Sequence, residues 1–242
     1  EVHPNGEVEV TFADGTKAIG DLVVGADGMG STVRRQLLPE VRIVGTGVFG
    51  AIARTPLTER VAALVPGWST LVVGGDLKMF LGKMPFRRPP HEAAAEWGVD
   101  LPETESYLRW VLLLPPAHPR AEESAGKQAI DLLLDLTEGW HPELRALIAE
   151  ADPENSGIGE IRHGGPIDPW PTGPVTLLGD AVHPMPPGGL GANLAFLDAK
   201  TLCAELLSGL NGVAEYERRM HEYSAEARGY AKEALERIGV SR

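Results

Sequence analysis

Two stretches of this chain carry residue types at spacings suited to chemistry. The first is Gly25-Ala26-Asp27-Gly28-Met29-Gly30-Ser31, which follows the apolar run Leu22-Val23-Val24. The second runs from Val175 to Asn193. There an apolar run ends in Gly179-Asp180, passes a turn containing Pro187, Gly189 and Gly191, and opens a helical pattern at Ala192-Asn193. Strand, glycine loop and helix start is the order that shapes a backbone to receive a phosphate or a ring edge. The first amides of a helix have no partner within it and carry partial positive charge. Asp27 and Asp180 both sit at the carboxyl end of a strand, the edge of an open α/β sheet where ligands gather, and Asp180 is placed to accept hydrogen bonds from sugar hydroxyls. Either aspartate alone reads equally well as a cap on its own turn. The repeated arrangement favours binding.

Other chemistries find little support. The sequence contains no G-x-S-x-G, no H-E-x-x-H and no phosphate-loop lysine motif. His183 reads as structural or exposed in preference to acid/base, and the remaining histidines have no ligand spacing, so no metal is expected. Cys203 is the single cysteine, which excludes an internal disulfide, and its apolar helical setting reads as core. The 34 acidic and 22 basic residues give a net charge of −12. That balance argues against nucleic acid or an anionic membrane as main partner, since both need a basic face, and leaves room for a local basic pocket for an anionic cofactor. No apolar run approaches the ~18 residues of a membrane span, and a cytoplasmic protein is expected. The chain opens on Glu1 and not Met, so it reads as part of a longer or processed protein. A site with binding geometry but no nucleophile or metal points to a cofactor that does the chemistry.

The elements that must position the two stretches follow from periodicity. Asn5-Gly6 fits a type I′ turn, and Val8, Val10 and Phe12 alternate with polar residues as a half-buried strand. Asp14-Gly15 turns the chain into a second strand, and Leu22-Val23-Val24 reads as a strand buried on both faces. Ser31 caps a short helix over 32–38. Gly45-Thr46-Gly47-Val48-Phe49-Gly50 matches G-x-G-x-x-G literally, but Pro56 would interrupt the helix that a dinucleotide loop requires. A glycine-containing strand is the stronger reading there, with a helix capped at Thr55-Pro56 and running to Leu64. A hairpin across Gly74-Gly75-Asp76 follows, then a surface loop over 87–106 anchored by Trp97. A strand over 107–114 closed by Pro115-Pro116, helices from Ala125 and Pro142, and an extended segment over 158–162 complete the middle. The last quarter holds a buried helix to Leu207 and an amphipathic helix over 213–238, with Tyr216, Met220, Tyr223, Ala227, Ala231 and Ala234 on one side.

Gly25-Ala26-Asp27-Gly28-x-x-Ser31-x-Val33-Arg34 resembles the DG motif of flavin-dependent aromatic hydroxylases of the para-hydroxybenzoate hydroxylase class. Gly179-Asp180-Ala181-Val182-His183, then Pro187, Gly189, Gly191 and Asn193, with Asp198-Ala199 after them, resembles that family's GD motif. The resemblance is specific over about 40 residues. It implies an α/β fold, in part α+β: a truncated FAD-binding Rossmann-like domain with an inserted mixed β-sheet substrate domain and a C-terminal helical segment. The implied division is 1–40 for part of the FAD-binding domain, 41–165 for the substrate domain, and 166–242 for the rest of the FAD-binding domain and the C-terminal helices. It further implies FAD as cofactor, NAD(P)H as cosubstrate and O2 with an aromatic or polycyclic small molecule as reactants, through a flavin hydroperoxide.

The implied cofactor residues are Asp27, Gly28, Arg34, Gly179, Asp180, Pro187, Gly189, Gly191, Ala192 and Asn193. Asp180 would serve the ribityl or diphosphate side, the Pro187-to-Asn193 segment the pyrophosphate and the ring edge, and Asp27 and Arg34 the pyrophosphate region and the approach of the pyridine nucleotide. Two departures are visible. No G-x-G-x-x-G unit precedes the DG motif, and the loop after His183 is about one residue shorter than the family's spacing. A shortened turn would shift amides that must be accurately placed. The alternatives are a non-catalytic fragment unable to hold FAD alone, or a related flavoprotein reductase or halogenase.

Overall fold

The computed structural model describes residues 1–114, 123–185 and 189–237. Strands β1 (Val8–Thr11), β2 (Lys17–Gly20) and β3 (Val23–Gly25) precede helix α1 (Thr32–Leu37). Then come β4 (Ile43–Pro56), α2 (Glu59–Ala63), β5 (Ser69–Gly74), β6 (Leu77–Met84), α3 (Pro90–Ala95) and β7 (Tyr107–Leu114). The chain continues through β8 (Ser124–Ala125), α4 (Gly126–Leu136), α5 (Pro142–Ala149), β9 (Gly157–Gly164), β10 (Val175–Leu177), α6 (Gly191–Leu206) and α7 (Gly212–Arg237). These elements form two compact units, one of Glu1–Thr46 with Arg162–Arg242, the other of Gly47–Ile161.

In the first unit β3 and β10 pair in parallel, Val23 with Val175 and Leu177 with Gly25, which places the two motif loops after neighbouring strand ends. Helix α1 packs tightly there: a Cβ added to Gly25 would stand 2.8 Å from Val33 Cβ and 2.6 Å from Leu177 Cδ2. Leu38, Leu177, Val182, Leu202, Tyr216 and Met220 form the core of this unit. Tyr216 donates to the Leu177 carbonyl at 2.7 Å, tying α7 to the strand that leads into the GD motif. The stripe on α7 is therefore core at Tyr216 and Met220. Ala231, Ala234 and Ile238 lie outside the described side chains.

In the second unit the strand order is β5-β6-β7-β4-β9-β8. The period of two separates its faces. Val72, Met79, Leu112 and Ala51 are register partners on one face, Thr70, Leu81, Trp110 and Ala53 in the next row. All of these but Thr70 join Val61, Leu133, Leu147 and Ile148 in the core or pack against it. On the opposite face Leu71, Phe80, Val111 and Ile52 form a row across four strands. Leu71, Ile52 and Phe80 remain 50%, 40% and 36% exposed.

Several expectations are corrected. The first hairpin turns over His3-Pro4-Asn5-Gly6, with the Gly6 amide on the His3 carbonyl and Gly6 at φ +90°. Pro4 presets the second turn position with a negative φ, so the left-handed glycine falls at the last turn position and the central pair is Pro4-Asn5 in place of a type I′ Asn5-Gly6. Phe12 is 51% exposed, beyond the end of β1. Val24 is 37% exposed because β3 has β10 as its only strand partner among the described residues. Thr58 caps α2, while Thr55 is buried in β4, whose run to Pro56 absorbs the whole Gly45–Gly50 segment. The 87–106 stretch contains α3, started by Pro90 at its first turn, and Trp97 is 84% exposed, so it anchors nothing. Cys203 is exposed, on the outer side of α6. Pro115 and Pro116 lie outside the described residues.

Candidate functional site

After β10, Leu178 remains extended and Gly179 adopts φ +61° to begin a single 3-10 turn, Gly179–Ala181. Glycine is required there twice over: the conformation is left-handed, and a Cβ would stand 3.1 Å from that of Ala195. The turn buries Gly179, Ala181, Val182 and His183 and leaves Asp180 exposed. Helix α6 then starts at Gly191 with no side chain capping it and no acidic residue in its first turn. The Leu194 amide on the Leu190 carbonyl closes its first bond, so the amides before it face outward. A Cβ on Gly191 would lie 3.5 Å from Asp180 Oδ1, which places the carboxylate directly beside that open helix end. The Asp180 carboxylate has no hydrogen-bond partner among the described residues. Gly189 sits at φ +81° with open space where a side chain would be, and Ala192 and Asn193 are exposed. Pro187 lies outside the described residues.

The DG motif is built differently. Asp27 accepts from Ser31 Oγ at 2.5 Å and from the Thr32 and Val33 amides at 2.6 and 3.2 Å, and Ser31 Oγ accepts from the Arg34 amide at 2.8 Å. Burial alone would raise the Asp27 carboxyl, but these donors outweigh it and hold it below the ordinary carboxylate value. Both side chains therefore serve the start of α1, whereas the start of α6 is left open. Gly28, at φ +75°, turns the loop and its carbonyl accepts from the Ser31 amide. Arg34 is 2% exposed. Its guanidinium donates to the carbonyls of Met29 at 2.5 Å and Ala181 at 2.9 Å, with a longer contact to that of Asp180 at 3.5 Å. It thus joins the backbone of one motif to that of the other.

Sequence reasoning quoted Asp198 within the GD motif but gave it no role. It is fully buried and accepts from the Gly179 amide at 2.8 Å and from the Tyr223 hydroxyl at 2.6 Å. His183 Nε2 lies 3.1 Å from Asp198 Oδ2, so His183 is a buried structural partner. The available signal was a carboxylate on the apolar side of a helix, four residues from both Leu194 and Leu202. Among the described residues no group of three or more His, Cys, Asp and Glu side chains is arranged to hold a metal, and no helix is long and apolar enough to cross a membrane.

This donor and acceptor set fits a flavin nucleotide. Free amides at a helix start suit a diphosphate or a ring carbonyl, and a free carboxylate suits the hydroxyls of a ribityl chain. Comparison with known proteins agrees with that chemistry. The FAD binding domain family matches residues 120–238. The dual O-methyltransferase/FAD-dependent monooxygenase CTB3 of Cercospora beticola is 32% identical over 88% of this chain and 28% of its own length. The FAD-dependent urate hydroxylase of Klebsiella oxytoca is 33% identical over 84% of this chain and 47% of its own. Klebsiella pneumoniae HpxO, solved with FAD and uric acid, superimposes with a TM-score of 0.71 at 26% identity, over 96% of this chain and 56% of that one. The chain thus spans between 28% and 47% of the length of these two curated relatives. With both motifs in order on this fold, the chain is similar over most of its length to FAD-dependent monooxygenases, and its second half matches the FAD binding domain family.

Proposed function

We propose that this chain supplies the ribityl-diphosphate contacts and the substrate-side sheet of an FAD- and NAD(P)H-dependent monooxygenase acting on an aromatic or polycyclic small molecule. The observation that carries the reading is the start of α6, uncapped among the described residues, beside an Asp180 carboxylate that has no partner among them. Bound FAD would supply the redox chemistry, accepting hydride from NAD(P)H and passing one oxygen atom of O2 to the substrate. The chain's own residues bind and orient. Asp180 accepts from ribityl hydroxyls, the amides from Gly191 to Asn193 receive the diphosphate or a ring carbonyl, and Gly189 lets the backbone approach closely. Asp27 and Arg34 act one step back, holding the backbone that the cofactor meets.

The contrast between the two aspartates provides the test. Asp180→Ala is expected to weaken FAD binding by about tenfold, the loss of charge-assisted hydrogen bonds to the ligand, with far-UV dichroism and Tm unchanged. Asp27→Asn is expected to lower Tm by roughly a few degrees through the weakened cap, with a smaller effect on FAD. Titration of the flavin-free protein with FAD, followed by fluorescence quenching, measures both. Unchanged affinity in Asp180→Ala would remove the assignment.

On the substrate side, the row Leu71, Phe80, Val111 and Ile52 offers a flat apolar surface of the kind that receives an aromatic ring. Phe80→Ser is expected to raise KM for the aromatic substrate by about tenfold, since its exposed ring face removes little from the fold and much from such a wall. FAD affinity should stay as in the unaltered protein. Steady-state kinetics with the flavin-saturated protein separate the two quantities, and an unchanged KM would place the substrate elsewhere.

A further inference from the structure

A buried carboxylate costs several kcal/mol unless donors surround it. Asp198 is surrounded by donors from two other segments of the chain. Oδ2 receives the Gly179 amide at 2.8 Å and lies 3.1 Å from His183 Nε2, while Oδ1 receives the Tyr223 hydroxyl at 2.6 Å. Gly179 and His183 bracket the turn that carries Asp180. The Val182 and His183 amides both donate to the Gly179 carbonyl, at 3.0 and 2.8 Å, so two backbone bonds close the bracketed segment on itself. His183 turns Nε2 toward the carboxylate, and its buried Nδ1 has no partner among the described residues. Burial, and then its bond to Asp198, raise the Tyr223 hydroxyl above its ordinary value, so it stays a donor throughout the neutral range.

We propose that Asp198 is a positioning residue for the cofactor site. It holds the Gly179–His183 turn and so sets where the Asp180 carboxylate stands against the start of α6, with Tyr223 tying α7 to the same point. The proposal rests on the reading of Asp180 as a flavin contact. It concerns a residue that touches no ligand and acts only through the turn. An asparagine at 198 offers one oxygen and one amide group, and no charge, to donors that need two carboxylate oxygens. With its amide group on the Oδ2 side it faces the Gly179 amide and His183 Nε2 and releases the turn, and on the Oδ1 side it removes the acceptor of the Tyr223 hydroxyl that ties α7 to the same point.

Two measurements test it. In the first, flavin-free protein is titrated with FAD for the unaltered chain, Asp198→Asn, Asp180→Ala and the double variant. Asp198→Asn is expected to weaken FAD by about tenfold, and the double variant to bind within about twofold of Asp180→Ala alone. Losses that multiply would overturn the proposal, because Asp198 would then act independently of Asp180. In the second, amide hydrogen exchange is followed without FAD. The Gly179 and His183 amides should lose at least tenfold in protection in Asp198→Asn while α4 and α5 keep theirs, and unchanged exchange at the turn would equally overturn it. Since the second measurement contains no cofactor, faster exchange together with unaltered FAD affinity in Asp180→Ala would locate the failure in the flavin reading and end the proposal with it. Tyr223→Phe, which loses one hydroxyl and keeps the ring, should show both effects at about threefold and serves if Asp198→Asn does not fold.

Discussion

Trp110→Ala is expected to destabilise the Gly47–Ile161 unit by about 3–5 kcal/mol, a large share of the roughly 5–15 kcal/mol that holds a typical domain folded. Trp110 is fully buried on β7, between Leu81 and Ala53 in register. Its indole Nε1 donates to Thr55 Oγ1 at 3.1 Å, and that hydroxyl donates to the Leu147 carbonyl at 2.9 Å, which links the sheet to α5. Two effects therefore add, and their magnitudes differ. Loss of the indole leaves Thr55 short of one donor while its own bond to Leu147 survives, a cost near 1 kcal/mol. The cavity is the larger effect, because Ala51 and Ala53 are too small to fill it and the neighbouring strands hold the backbone apart. Thr55→Val separates the two. It keeps the volume but leaves the Leu147 carbonyl and the indole N–H without partners, for about 1–3 kcal/mol. Urea unfolding followed by far-UV dichroism measures both, and a loss below about 1.5 kcal/mol for Trp110→Ala would show that this core closes over the gap.

The second unit was largely legible in the sequence because a strand's period of two is a local signal. The hairpin at Gly75, the strand over 107–114 and the demotion of Gly45–Gly50 by Pro56 all came from nearest neighbours. What escaped was set by distant packing. Cys203 shares a helix with buried leucines yet faces outward, since apolar character alone does not say which side of α6 meets Tyr216 and Met220. Trp97 looked like an anchor only because tryptophans are more often buried than exposed.

At the site, Asp27 and Asp180 looked equivalent because each follows a strand and precedes a helix. They differ in what comes next. Ser31 stands four residues after Asp27 and turns it into a cap, whereas Ala181-Val182-His183 offers Asp180 no such donor. That distinction lay within reach of the sequence. The partners of Asp198 did not, since they come from 19, 15 and 25 residues away, and Arg34 meets Ala181 across 147.

Arg34→Met is expected to weaken FAD binding by well over tenfold and to cost about 2–3 kcal/mol of stability. Methionine fills most of the volume of the arginine stem, so the loss isolates the guanidinium. That group is buried beneath α1, where burial pulls its proton affinity down and the nearby Asp27 charge partly restores it. Its donors satisfy the Met29 and Ala181 carbonyls, one from each motif. Without them two carbonyls lose their charged partner, and among the described residues no other side chain hydrogen-bonds from one loop to the other. Arg34→Lys keeps a charge but lacks the planar fork that reaches both carbonyls at once, so it should fall between. The adjacent Arg35 supplies the control. It also donates to a loop carbonyl, that of Gly30, and to Thr32 Oγ1, but it is exposed and contacts only its own motif. Arg35→Met should shift Tm little and leave FAD affinity within about twofold, as exposed pairs generally do. If Arg34→Met and Arg35→Met behave alike in both measurements, the link between the motifs is not what shapes the site. If they diverge as expected, the DG motif's contribution to the cofactor runs through the backbone of the GD turn.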